Sequence, residues 1–172
     1  MTSPAITVGT SPSFDDCHSF FLTKKKKLIG NHQHGIYGME YPEYNTSDER
    51  YSLISDWALA ILTKFNVTEV CLEGYSYGSA AGLVFNLGEN GGVLKHKLWI
   101  NGIKYHVPAP TEIKKFYAVK GNAKKGEMYQ VFLSETGVSL VDLLGVGEDK
   151  NPTSDIVDSF AILKFGFSNL FK

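Results

Sequence analysis

The chain has 172 residues, of which 43% are hydrophobic and 20% charged; this is the balance of one globular domain with a continuous core, and it excludes a disordered segment. The formal net charge is −1, which excludes a uniformly basic nucleic-acid-binding surface. No apolar run reaches the length of a bilayer and no secretory leader is read. Two scattered thiols, Cys17 and Cys71, form neither a disulfide framework nor a zinc motif, so a reducing, cytoplasmic setting is expected.

The charges are nevertheless segregated. Lysines gather at residues 24–27, at Lys95 and Lys97, and at Lys114, Lys115, Lys120, Lys124 and Lys125. Acids gather at Asp15 and Asp16, within residues 40–49 and within residues 148–158. A basic face beside a cluster of carboxylates is compatible with that distribution.

No repeat or linker divides the chain, and residues 1–172 are expected to form one domain. The β-prone run at residues 5–10 stops at Ser11-Pro12-Ser13, a turn signal. Residues 17–23 and 27–37 read as two further strands, and the three together as an antiparallel meander. Ser47 is a plausible N-cap for a helix that carries Leu53, Trp57, Ala60 and Ile61 at helical spacing. Residues 67–72, Val-Thr-Glu-Val-Cys-Leu, form a compact apolar run read as a strand buried on both faces, with Glu73 at its end. A Gly/Ala/Leu-rich helix is expected over residues 78–94, extensible to 100. It is followed by a strand at 102–108, a helical turn at 111–115 and helices at 124–136 and 154–165. Three strands, helix, strand, helix, strand, helix is a mixed α/β order.

In Asp155-Ile156-Val157-Asp158 the acids stand three apart, on one helix face. Ser154 or Thr153 can cap this helix, so a dipole-stabilised, solvated N-terminus is the bland alternative. Glu73 adds weight to the functional reading, because a carboxylate at the end of a buried strand needs a cation or hydrogen-bond donors. Three carboxylates are suited to hard, oxygen-seeking ions such as Mg²⁺, with Mn²⁺ able to substitute. Two such ions ~4 Å apart can support in-line phosphodiester displacement. His32 and His34 alternate in sequence and would share one face of a strand; they could bind a metal, but surface-strand histidines are the simpler reading.

The segments CLEGYSYGSAAGL, PTEIKKFYAVKGNAKKGEM and SDIVDSFAIL resemble, in order and separation, the three later blocks of the RuvC-like Holliday-junction resolvases; ITVGTSPSF resembles the first. The resemblance spans nearly the whole chain. It implies an RNase H-like fold with a mixed five-stranded sheet flanked by helices, a homodimer, and two-Mg²⁺ cleavage of four-way DNA junctions in a bacterial cell or phage-infected host. Glu73 corresponds to the strand-end glutamate, and Asp155 and Asp158 to the aspartates of the last helix. Ser11 stands where the first catalytic aspartate belongs, and a neutral hydroxyl is a weak metal ligand, so the chain is expected to be inactive or very weak. Asp15 and Asp16 follow beyond the turn and are expected out of reach.

Two accounts of Ser11 stay open. One is a substitution that disables a nuclease; the other is a protein that binds junctions without cutting them. The three retained carboxylates favour the first. An RNase H-like nuclease acting on RNA–DNA hybrids or flaps is a further alternative, since the same acids serve it. The resemblance places the DNA grip at Lys120, Lys124 and Lys125 and an unstacking aromatic beside Ser76, at Tyr75 or Tyr77. Solvated charge and core packing are the respective plain alternatives.

Overall fold

A computed structural model describes residues 4–75 and 81–171, the side chains of residues 81–84 excepted. In chain order the elements are β1 (Ala5–Gly9), β2 (Cys17–Thr23), β3 (Gly30–His32), β4 (Ile36–Glu40), α1 (Ser47–Lys64), β5 (Glu69–Cys71), α2 (Ala81–Ile100), β6 (Lys104–His106), α3 (Pro110–Ala118), α4 (Lys125–Thr136), α5 (Leu140–Leu144) and α6 (Thr153–Asn169). They fall into two compact units: residues 1–41 with 111–172, and residues 42–110. No helix among the described residues is long and apolar enough to cross a membrane.

The first unit is built on a four-stranded sheet in the order β1-β2-β4-β3. β1 runs antiparallel to β2, β2 parallel to β4, and β3 antiparallel to β4. The expected strand at residues 27–37 is therefore two strands. His34 at φ 58° and Gly35 at φ 66° turn the chain back between them. The meander is correspondingly replaced by a sheet with one parallel pair. Gly38 shows why the hairpin needs glycine. A Cβ there would lie 1.7 Å from the Leu28 carbonyl oxygen, a backbone atom that cannot swing aside.

The core of this unit is aromatic. Phe14, Phe21, Phe132 and Phe160 are buried with Leu28, Ile36, Leu140 and Ile156. Phe14 meets Phe132 and Phe160 edge-on, with ring centroids 4.9 and 5.1 Å apart, the arrangement the ring quadrupoles favour. α6 presents Ile156, Val157, Phe160 and Ala161 to this core. Its N-cap is Pro152, not Ser154 or Thr153. The Thr153 hydroxyl instead donates to the Val146 carbonyl at 3.0 Å. The C-terminal apolar tail mostly continues this helix: Phe165 meets Phe116 edge-on, and Phe171 folds back over Gly166.

The second unit pairs α1 with α2 beside a two-stranded parallel sheet, β5 and β6. The cap of α1 is Thr46, one residue before the expected Ser47; its hydroxyl accepts from the Glu49 amide at 3.2 Å. β5 is three residues long and half-buried rather than enclosed on both faces. The single five-stranded sheet expected from the sequence is thus divided four and two.

Candidate functional site

In the first unit β1 delivers the chain into a tight loop closed by a 3-10 turn at Phe14–Asp16. This turn brings Asp16 back onto Ser11. The Ser11 hydroxyl donates to Asp16 Oδ2 at 2.6 Å and accepts from the Ser13 amide at 3.1 Å. The expectation that Asp16 lies out of reach is therefore corrected, because the turn reverses the chain within five residues. Cys17 follows at the start of β2; burial and then the neighbouring Asp16 carboxylate push its thiol up to about 12. It is a protonated, inert thiol.

α6 is fastened to this part of the sheet by hydroxyl groups. Thr7 Oγ1 on β1 lies 2.7 Å from Ser159 Oγ on α6 and 3.0 Å from Ser19 Oγ on β2. On α6 Asp155 stands one turn before Ser159, and Asp158 directly before it. Asp155 keeps Oδ2 buried, and Asp158 is half-buried. Burial holds the Asp158 carboxyl above its ordinary range, while the ammonium groups of Lys125 and Lys114 pull the other way. Lys125, from the start of α4, donates to Ser154 Oγ at 2.9 Å, which ties the lysine-rich segment to the first turn of α6.

Desolvation wins at Asp158, and this has a measurable sign. A carboxyl whose folded value exceeds its unfolded one destabilises the native state as pH rises through that window, and the penalty is complete above it. Asp158→Asn is accordingly expected to melt higher than the parent at neutral pH, by an amount that vanishes below about pH 3.8. Thermal melts across pH test this; an Asn variant no more stable than the parent at pH 7 would contradict it.

The lysines of the α3–α4 connection are exposed. Lys120 pairs with Glu127 at 3.2 Å, and Glu127 also accepts from the Lys124 amide at 2.8 Å. Both interactions hold the Glu127 carboxyl below its usual range, the Lys124 amide most strongly. Lys124 opens α4 and, like Lys125, is exposed.

In the second unit Glu73 is exposed, two residues beyond β5. The chain around it is held by amides of Leu72 and Gly74 donating to the carbonyls of His106 and Pro108. Beside it in β5, Glu69 takes hydrogen bonds from His106 and Lys104, which keep its carboxyl low. Tyr75 is half-exposed; its hydroxyl donates to the Gly88 carbonyl, and Lys95 lies 5.0 Å over its ring. Tyr77 lies outside the described residues. Lys97 is committed to Asp56 at 2.6 Å and to Ser52.

The structure brings together Ser11 with Asp16, and Asp158 with Lys125 and Lys114. Glu73 belongs to the other unit. Among the described residues no three His, Cys, Asp or Glu side chains are grouped to hold a metal ion. Positive charge at Asp158 comes from lysines, and Ser11 offers a neutral oxygen already engaged by Asp16. Within the first unit Ser11 therefore supplies no carboxylate to a two-ion centre of the kind the sequence resemblance implies. Sequence reasoning set Asp16 aside as out of reach and gave Lys114 no role; the only signal was their place in the acid and lysine blocks.

No protein-family model and no curated protein matches the chain. Among solved structures it is similar to Thermus thermophilus RuvC, with a TM-score of 0.56 and 17% identity over 76% of this chain and 75% of that one. It is also similar to T. thermophilus RuvC in complex with a Holliday junction substrate, with a TM-score of 0.58 and 20% identity over 98% of this chain and 94% of that one. The fold is RNase H-like, as the sequence led us to expect.

Proposed function

We propose that this protein is a homodimeric, structure-selective binder of branched DNA, four-way junctions above all, built on the scaffold of a Mg²⁺-dependent junction endonuclease whose hydrolysis is suppressed at Ser11. The observation that carries the reading is the linkage of a lysine-rich segment to an acid face: Lys125 reaches from α4 to Ser154, one residue before Asp155. Phosphates gripped by Lys120, Lys124 and Lys125 would then lie beside the carboxylates of α6. Support for DNA as the partner comes from the likeness to RuvC held on a Holliday junction. In this reading Glu73, Asp155 and Asp158 are the carboxylates retained from a cleaving scaffold, and Tyr75 and Tyr77 the aromatics that would meet bases.

Each named group has a task in this reading. The lysines neutralise phosphates and release counterions. The exposed turn between α3 and α4 lets the backbone approach the duplex. Ser11, bonded to Asp16, adds no carboxylate of its own to the loop. Binding without cleavage is favoured by that same bond.

Gel-shift titrations of a four-way junction against a linear duplex test the proposal. The junction is expected to bind more tightly, with affinity falling steeply as salt rises. Lys120→Gln should lower the slope of log K against log salt by about 0.9. Equal affinity for the two DNAs, or a slope unchanged by Lys120→Gln, would count against it.

A further inference from the structure

Val119 follows the last residue of α3 with φ at 65°. That left-handed backbone is the position at which helices end on glycine or asparagine, and for a β-branched residue it is an outlier. Packing among the described residues does not compensate: at 83% exposure Val119 is the most exposed large apolar side chain there. A strained residue persists where something over-determines it, commonly a ligand contact, and here the protein's own packing does not.

The surroundings identify the chemistry. Residues 111–127 carry five lysines against two glutamates. Lys115, Lys120 and Lys124 are exposed and lie within five residues of Val119 in the sequence, as do the exposed Asn122 and Phe116. Of the two acids, Glu127 is occupied by Lys120 and the Lys124 amide. An exposed apolar side chain in a lysine-rich segment matches a nucleic acid, whose phosphates meet the lysines while an opened base step or sugar meets the apolar group. A continuous duplex offers such a step only at the cost of unstacking it, whereas a junction presents it at the point of strand exchange.

We propose that Val119 is a DNA-contacting residue that discriminates branched from linear DNA, its apolar side chain seated against an unstacked base or sugar between phosphates held by Lys115, Lys120 and Lys124. This rests on the junction-binding reading above. The strain and the exposure are two faces of one arrangement: the left-handed turn lifts the side chain off the helix end, where α-helical backbone would carry it onward along α3.

The test compares Val119→Gly, Val119→Asn and Val119→Ile with the parent by thermal melting and by gel shift on four-way and linear DNA. Glycine and asparagine relieve the backbone and remove the apolar contact, so both should melt higher. Both should also bind the junction about tenfold more weakly, with the salt slope unchanged because no ionic contact is lost. Linear duplex affinity should stay as it was, and Ile should bind like Val. A parent that prefers junctions while the Gly variant binds them equally well overturns this inference alone, as does a loss of equal size on linear DNA. A parent without junction preference overturns the reading beneath it and this inference together, so the parent's own titration separates the two failures.

Discussion

Ser11→Asp is expected to cleave four-way junctions in the presence of Mg²⁺ on the order of 10³-fold faster than the very weak parent, from several kcal/mol of added charge stabilisation. The argument starts from the parent's loop. Ser11 Oγ sits 2.6 Å from Asp16 Oδ2 as a hydrogen-bond donor. An aspartate in its place brings a second carboxylate against the first, and like charges at that range oppose joint ionisation. Without metal the variant should therefore melt below the parent. A divalent cation turns the repulsion into chelation, since hard cations gather carboxylate oxygens. Mg²⁺ should accordingly raise the melting temperature of the variant and leave that of the parent unmoved. Ser11→Asn, neutral and nearly isosteric with Asp, controls for size and should show neither response. If Ser11→Asp cuts no branched DNA at any Mg²⁺ or Mn²⁺ concentration, the nuclease ancestry of this site is wrong. Cleavage confined to RNA–DNA hybrids or flaps would move the assignment to that alternative.

What the sequence made legible depended on whether a local pattern was long enough to outweigh tertiary context. β2 was readable to the residue because its seven positions are bounded by a turn on each side. α4 was readable because its apolar spacing runs for three turns to Gly137 in a left-handed C-cap. Residues 27–37 misled because Leu28, Ile29, Ile36 and Tyr37 suggest one strand. The polar stretch between them is a turn, which periodicity alone does not weigh. α5, five residues long, gives too few repeats to register at all. At the site, the pairing of Asp155 with Asp158 followed from helical spacing. The reach of Asp16 to Ser11 depended on a 3-10 turn, and the charge of Lys114 and Lys125 on Asp158 depended on how three helices pack. Neither is encoded in spacing. The strain at Val119 was equally invisible, because nothing local announces that a valine will occupy a left-handed helix end.

Phe160→Ala is expected to remove about 3–5 kcal/mol of stability, a large part of the roughly 5–15 kcal/mol that holds a native domain together. Phe160 is fully buried on α6. Its ring meets Phe14, Phe132 and Tyr117 edge-on at 5.1, 5.7 and 6.3 Å. These rings come from the loop after β1, from α4 and from α3, so the cavity left by alanine opens where all the elements of the lysine-and-acid site converge. Partners held edge-on by three neighbours have little freedom to collapse into the gap, which places the cost toward the upper end of the range. At about 4–8 °C per kcal/mol for a unit of this size, the melting point of the unit containing α6 should fall by about 20 °C. Phe160→Leu, which keeps most of the volume, should lose well under half as much. Since the two compact units can melt separately, calorimetry is the measurement of choice: only the transition of the unit containing α6 should shift. An Ala variant within about 2 °C of the parent would mean that this aromatic cluster does not hold the unit together. The same loss should weaken junction binding at temperatures well below the melting point. Lys125 is fixed to α6 through Ser154, and a loosened helix no longer keeps the phosphate-gripping segment in register with the acid face.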